Sequence, residues 1–502
     1  MRTLTLIAGL LAALDEAEIR YCHWKSSGGL AAALAGETDL DLLVDRGHSG
    51  KFTDEIRRLG FKPFVSHKSR QLPGVTDWLG LDVASRHLVH LHVYEELVLG
   101  EELVKNHRLP IEDVLLEHTE RRFGMPVLIP ELELAVLAVR GLLKYRDDAF
   151  VRDMIPIGHR AGLPKGISEE INGLLARTSS GAVGAAAARL LPMLPPRVIV
   201  EFLDAAGRRP IDAREMRRLR LDLENALRSY TRHGMLTVLT ARTAAAINRS
   251  RFLRAWRRIQ ERLRERPPGR RKTPAGGGRT VAVIGIDGSG KSTVVQALVE
   301  TFGWRVNVVS LYLGSSRPGL RTSVVQGMAR ATRRADASLA RRGENPALWL
   351  RRFVVELAAG LRAIAEARER RRRVELGSRL ASRGWLVVYD RYPMPALTVG
   401  SRRMDAHRLP TPSLASGWWS RRLAQREAAI YRRIGSPDLV IALRLDTATA
   451  RARKPEAPAA LDAKAAALDA LGVGDAGVVV IDAGLPQEDV LRRAASAVWK
   501  CL

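Results

Sequence analysis

The residues best suited to do chemistry lie between Gly285 and Thr293. Gly285-Ile286-Asp287-Gly288-Ser289-Gly290-Lys291-Ser292 satisfies the spacing G-x-x-x-x-G-K-[ST]. Glycines at these positions let the backbone wrap with its N–H groups inward, so that several donors face one phosphate. Lys291 supplies a mobile positive charge for the β- and γ-phosphates of a nucleotide, and Ser292 offers a hydroxyl to Mg²⁺. Residues 281–284 form a short apolar run typical of a buried parallel strand, and Val294, Val295, Leu298 and Val299 follow at helical spacing. The pattern predicts strand, loop and helix in that order, with the helix adding its positive N-terminal end to the phosphate site. Binding of ATP with Mg²⁺ is the expected chemistry.

A second constellation lies near the start. Asp39 and Asp41 stand two apart in a strand-like run, so their side chains share a face. Two carboxylates on one face can share divalent metal ions. Lys25, Ser26 and Ser27 precede them. In the later run HLVHLHVYEEL, His90 and His92 also share a face, either as metal ligands or as a satisfied or surface pair.

These elements must be positioned by larger folds. From about Thr280 to the end the chain resembles thymidylate kinase, within the nucleoside monophosphate kinases. The loop Asp287-Gly288-Ser289-Gly290-Lys291-Ser292-Thr293 carries the first part of the resemblance. Trp385-Leu386-Val387-Val388-Tyr389 reads as a strand followed by Asp390-Arg391-Tyr392, similar to that family's Asp-Arg-Tyr motif. Pro437-Asp438-Leu439 opens a strand leading to Asp446 and an arginine-bearing TATARARKPE, and VVVIDAGLPQEDVLRRAASAVW matches a last strand and closing helix. The resemblance implies that Asp390 either holds the Mg²⁺ shell or orients the acceptor, and that Arg391 clamps a phosphate. It places Arg451 and Arg453, with Lys454 behind them, in a lid that neutralises charge on the γ-phosphoryl group. Asp287 would touch the acceptor's sugar. Where the family carries Thr-Arg-Glu-Pro-Gly, this chain has Gly314-Ser315-Ser316-Arg317-Pro318-Gly319. The resemblance implies a nucleoside monophosphate such as dTMP as the first acceptor, and this departure, which lacks the Glu, leaves a sugar or another small hydroxyl compound as the alternative. The family's helical Arg for the acceptor phosphate falls on Arg362 or Arg368.

The N-terminal constellation resembles the nucleotidyltransferase fold of the DNA polymerase β type. There a Gly-Ser or Lys-Ser turn holds a phosphate, an Asp-x-Asp pair follows, and a later strand brings a third carboxylate. Here His90 stands where that carboxylate is expected, and Asp82 lies nearby but off that strand. The resemblance implies metal at Asp39 and Asp41. It is compatible with nucleotidyl transfer or with a binding domain that keeps the scaffold.

The chain as a whole has 502 residues, 46% of them hydrophobic, which is enough for several globular cores. The fold class expected is α/β. A P-loop three-layer α/β/α domain with a parallel sheet spans 279–502, and an α+β nucleotidyltransferase-like domain spans 1–125. A helical accessory segment spans 126–266, and a Pro- and Gly-rich linker spans 267–278. Two cysteines, Cys22 and Cys501, exclude a disulfide framework and a cysteine-rich zinc site, and point to a reducing, cytoplasmic setting. No uninterrupted apolar run is long enough to span a bilayer. The opening residues imitate a signal peptide but continue into Asp15, Glu16 and Glu18 at helical spacing, which predicts an amphipathic helix.

A net charge of +27 invites a nucleic-acid partner, but Arg is spread along the chain without interleaved aromatics. Residues 251–272 carry ten basic side chains against two acidic. With Phe252, Trp256, Ile259 and Leu263 on one face, 251–266 reads as a helix packed on its own domain, or as a peripheral contact with an anionic membrane. The run EARERRRR at 366–373 reads as the exposed part of a long helix. Competing with the enzyme is a nucleic-acid-associated or membrane-docked P-loop scaffold.

Overall fold

The computed structural model describes residues 3–25, 27–66, 71–72, 74–100, 105–145, 166–207, 212–234, 236–238, 240, 271–314, 319–341, 348–394, 397–399, 402–404, 409, 417–454, 461–470 and 477–502. The basic stretch 251–266, Ser26, Arg317 and Pro318, and the first part of the expected linker, lie outside them. The chain separates into two compact units, Met1–Lys272 and Thr273–Leu502.

The first unit is built on a mixed sheet. Helix α1 (Thr5–Glu16) precedes strand β1 (Tyr21–His23), α2 (Leu30–Leu34), β2 (Leu40–Val44), α3 (Ser49–Arg58), β3 (Lys62–Val65), β4 (Val75–Asp82) and β5 (His87–Tyr94). A short pair β6 (Leu97–Leu99) and β7 (His107–Leu109) follows, then α4 (Glu112–Glu117), β8 (Thr119–Arg122) and β9 (Met125–Leu128). The strands run in the order β3-β4-β5-β2-β1-β9-β8. Strand β2 pairs parallel with β5 and antiparallel with β1, and β4 pairs antiparallel with β5.

Alternation decides what each face carries. Leu40, Leu42 and Val44 pack under Ile7, Leu10 and Leu14 of α1 and Phe52 and Ile56 of α3. This is the amphipathic helix the N-terminal sequence predicts. Leu43 and Tyr94 point the other way, into a cluster with the helices α5 (Pro130–Lys144), α6 (Ile167–Leu175), α7 (Ser180–Leu190), α8 (Pro196–Gly207) and α9 (Ala213–Ala226). Helix α5 starts with Pro130 in its first turn, where a missing N–H costs nothing, and is buried along most of its length. The side chains of Asp39 and Asp41 share the parity of Leu43, so they face this second side.

The second unit is a parallel sheet with helices on it. In chain order it contains β10 (Arg279–Gly285), α10 (Lys291–Gly303), β11 (Val308–Tyr312), α11 (Leu320–Arg341), α12 (Leu348–Ala381) and β12 (Leu386–Asp390). Then come α13 (Trp418–Arg432), β13 (Leu439–Arg444), α14 (Thr447–Arg453), α15 (Leu461–Asp469), β14 (Val478–Asp482) and α16 (Gln487–Cys501). The order is β11-β12-β10-β13-β14, and every neighbouring pair is parallel. The chain moves to one side of β10 and then to the other, which opens a crevice at the carboxyl ends of the strands. Asp438 fixes the start of the sheet by accepting hydrogen bonds from Thr280 N at 2.7 Å and Thr280 Oγ1 at 2.6 Å.

The α/β class expected from the sequence is the class found. The run 366–373 does lie in a long helix, α12, but it is not simply exposed. Glu366 and Arg370 are buried, because at helical spacing they turn inward while Arg368 and Arg372 stay outside. Among the described residues, no helix is long and apolar enough to cross a membrane.

Candidate functional site

The loop between β10 and α10 has the conformation its glycines allow. Gly288 and Gly290 have φ of 90° and 81°, in the left-handed region that residues with a Cβ adopt at a cost. A Cβ on Gly288 would also stand 2.9 Å from the carbonyl oxygen of Ala450. Gly290 caps α10 without any side-chain hydrogen bond, so the first-turn amides have no side-chain acceptor at the cap. Lys291 is 5% exposed, and its Nζ donates to the carbonyl of Ile286 at 2.6 Å. Ser289 is buried and its hydroxyl has no hydrogen-bond partner among the described residues. Ser292 and Thr293 are exposed at the start of the helix.

Strand β12, next to β10, delivers Asp390 and Arg391 to the same edge. Ser292 Oγ donates to Asp390 Oδ2 at 3.0 Å. Asp390 is 9% exposed, and its other oxygen, Oδ1, is buried with no hydrogen-bond partner among the described residues. A hydroxyl beside a buried carboxylate with an unsatisfied oxygen suits a hard, oxygen-seeking dication such as Mg²⁺. Arg391 has φ of 71°, a strained value for a residue with a side chain. Its amide bonds to Val283 O at 3.1 Å, and its guanidinium lies 3.1 Å from Asp287 Oδ1.

Asp287 thus sits among three cations. Lys291 is 4.0 Å away and Lys464 of α15 is 3.8 Å away. Burial pushes the Asp287 carboxyl up, but the charges of Lys291, Arg391 and Lys464 outweigh it and hold the group below the usual carboxylate range.

The lid candidates divide. Asp446 caps α14 by accepting from Thr449 N at 2.7 Å. Arg453, at the end of that helix, lines a cavity of about 350 Å³ with Gly288, Thr293, Ala483, Leu485 and Val490, and donates to Ala483 O at 3.2 Å. Arg451 is placed differently. It pairs with Asp462 at 2.6 Å, and both side chains are more than half exposed. Lys454 is exposed.

The acceptor-side arginines also divide. Arg362 is held by Glu366 at 2.9 Å and Arg368 is exposed. Arg370, which the sequence reading does not single out, is buried at the end of β11. Its Nε donates to Leu313 O at 2.8 Å and its guanidinium also reaches Tyr431 Oη. Its neighbour Arg373 bonds Tyr312 O and Glu369.

In the first unit, Asp39 lies just before β2 and Asp41 within it. Lys25 Nζ is 2.6 Å from Asp41 Oδ1 and donates to Tyr94 Oη at 2.9 Å, between the rings of Trp24 and Tyr94. Burial pushes the Asp41 carboxyl up, but Lys25 and His92 pull it well below its usual range. For Lys25 the burial prevails over Asp41, and its ammonium titrates below the ordinary lysine range. Ser27 N donates to the buried Glu133 Oε1 at 2.7 Å, and Ser27 Oγ accepts from Arg122.

His90 and His92 stand on the same face of the sheet as Asp41. The carboxylate beside them is not Asp82, which is buried on β4 and bonds Leu6 N and Ser85. It is Asp77, placed opposite His92 by the antiparallel register of β4 and β5. Asp77 also pairs with Lys272 at 2.7 Å.

A parallel five-stranded sheet with a glycine-lined, lysine-bearing loop at the carboxyl end of its central strand defines the second unit as a P-loop α/β/α fold. Two Escherichia coli proteins are similar in sequence. The uncharacterized ATP-binding protein YghS of strain K12 is 30% identical over 233 residues, which make up 45% of this chain and 94% of that protein. The uncharacterized ATP-binding protein YghR of the same strain is 30% identical over 236 residues, 43% of this chain and 86% of that protein. The chain belongs to the family of these two proteins. Among solved structures, thymidylate kinase from Candida albicans aligns with a TM-score of 0.29 and 17% identity, over 45% of this chain and 90% of that one. No family model matches the chain.

Proposed function

We propose that the second unit transfers the γ-phosphoryl group of ATP, with magnesium, to a small acceptor, a nucleoside monophosphate such as dTMP in the first place. One observation carries this reading. Lys291, Ser292, Asp390 and Arg391 meet at one edge of the sheet, with Ser292 Oγ 3.0 Å from Asp390 Oδ2. That both E. coli relatives are described as ATP-binding supports ATP as the donor.

In this reading the loop amides and the start of α10 bind the β-phosphate, and Lys291 turns from Ile286 O toward the β- and γ-oxygens. Magnesium, held by Ser292 and Asp390, would screen the charge on those phosphates when bound. The acceptor oxygen forms a bond to γ-phosphorus as the bond to the β-bridging oxygen breaks, and ADP leaves. Arg391 steadies the charge on the phosphoryl group, and Asp287 receives the acceptor's sugar hydroxyl. Arg453 closes over the loop, and Leu485 and Val490 offer an apolar wall to the base. Arg451 takes part only by leaving Asp462. A cytoplasmic setting suits this chemistry.

The test is ADP release from full-length protein across nucleoside monophosphates, nucleosides and sugars. Turnover with a nucleoside monophosphate is expected. Turnover confined to sugars or other hydroxyl compounds replaces the acceptor assignment, and no turnover with any of them removes the kinase reading.

Nucleotidyl transfer in the first unit is the second reading. It is favoured by Asp41 and Asp77 facing opposite nitrogens of the His92 imidazole, with Lys25 2.6 Å from Asp41. Asp39→Asn with Asp41→Asn is then expected to remove metal-dependent release of pyrophosphate from nucleoside triphosphates. Equal release by wild type and the double variant defeats it.

A further inference from the structure

The side chains of Asp39, His90 and His92 converge in the first unit. One ligand atom from each lies within 4.8 Å of the others. The two rings are in edge contact, with centroids 4.5 Å apart. What orients them is a single oxygen. Asp77 Oδ1 is 3.0 Å from His90 Nε2 and 2.8 Å from His92 Nε2. Asp77 is itself held in place by Ser66 Oγ at 2.5 Å and Lys272 at 2.7 Å.

A carboxylate oxygen accepts but does not donate, so Nε2 carries the proton toward Asp77 in both rings. The opposite nitrogens then point at carboxylates too. His90 Nδ1 is 2.8 Å from Asp39 Oδ1, and His92 Nδ1 is 3.3 Å from Asp41 Oδ1. The His90 side chain is 1% exposed, and among the described residues its Nδ1 makes no aligned hydrogen bond despite the short approach. An imidazole lone pair close to a carboxylate oxygen is repulsive unless a cation stands between them, either a second proton on the ring or a metal ion. Metal-bound histidines characteristically donate their other ring N–H to a carboxylate, which is the relation both rings have to Asp77.

We propose that Asp39, His90 and His92 hold a transition-metal dication of the Zn²⁺ class, with Asp77 as the outer carboxylate that orients both imidazoles. Two imidazoles and one carboxylate favour Zn²⁺ over Mg²⁺, which prefers an all-oxygen shell. Asp41 lies beside the site, restrained by Lys25. Neither phosphoryl transfer in the second unit nor nucleotidyl transfer in the first is needed for this site, and its test is read without activity.

The experiment uses full-length protein, stripped with a chelator and titrated with Co²⁺ as a visible stand-in for Zn²⁺, in excess Mg²⁺. One equivalent of Co²⁺ is expected to bind with the visible absorption of a nitrogen-ligated site, and Zn²⁺ is expected to displace it. His90→Gln and His92→Gln are expected to lose the absorption. Asp77→Asn keeps all three ligands but frees the rings, so binding weakens by about 10- to 100-fold. His118→Gln, whose ring bonds Val114 O, is expected to match wild type. No Co²⁺ absorption in the wild-type protein, which needs no variant to fold, overturns the proposal and leaves the imidazoles as ion-pair partners. Undiminished absorption in His92→Gln overturns it equally.

Discussion

Replacing Lys291 with alanine is expected to lower ATP turnover by about 10³-fold or more while the melting temperature stays near that of wild type. The ammonium group is the side-chain cation that the loop motif itself supplies to the phosphates. It lies at the foot of α10, where it bonds a loop carbonyl, Ile286 O, at 2.6 Å. Its removal leaves that carbonyl beside the loop's own backbone and removes one of three cations around Asp287. Neither change dismantles β10 or α10, whose cores are Val281, Val283, Val294 and Leu298. Steady-state ADP release and a thermal melt on the same preparation check this. Turnover within tenfold of wild type would show that the loop does not handle the reacting phosphates.

Arg391→Ala is the second large effect, again about 10³-fold in kcat, as for a lost charge clamp on a transferring phosphoryl group. The side chain reaches Asp287 at 3.1 Å across the mouth of the loop. Its backbone carries a φ of 71°. Alanine has the same Cβ and meets the same backbone strain, so the substitution tests the guanidinium and leaves the turn's cost unchanged. Arg391→Lys is expected to recover part of the rate, because it keeps the charge and loses the planar fork. A loss below tenfold for the alanine variant, read as kcat on purified protein, assigns Arg391 to a structural ion pair with Asp287.

The phosphate loop was legible in the sequence because its demands are local. A strand, fixed glycines, a lysine and a helix start follow one another without a gap, and the structure places them so. Asp390 and Arg391 were legible for a related reason: they end an apolar strand, and in a parallel sheet strand ends meet at one edge. Asp77 was not legible. In VTDWLGLD it is one polar residue among alternating positions, and only the pairing of β4 with β5 brings it opposite His92. Register between strands is a property of the pair, and nothing along either strand alone separates Asp77 from Asp82 as the acid beside the histidines.

Arg370 was hidden for a different reason. Arg362, Arg368, Arg370 and Arg373 all fall on α12, and the basic run gives no apolar contrast to say which of them turns inward. Burial of Glu366 and Arg370 comes from the partners at Leu313, Tyr431 and Gln326, all supplied by other elements. Lys464 belongs to α15, distant in sequence from the loop, and nothing in its own surroundings marks it as a partner of Asp287.

The claim on which the rest depends is that the loop after β10 grips the phosphates of a nucleoside triphosphate. Titration calorimetry of full-length protein with ATP in saturating Mg²⁺ tests it most directly. A saturable heat with one site per chain, lost in Lys291→Ala, is the predicted result. No heat with ATP or GTP from folded wild-type protein would contradict it.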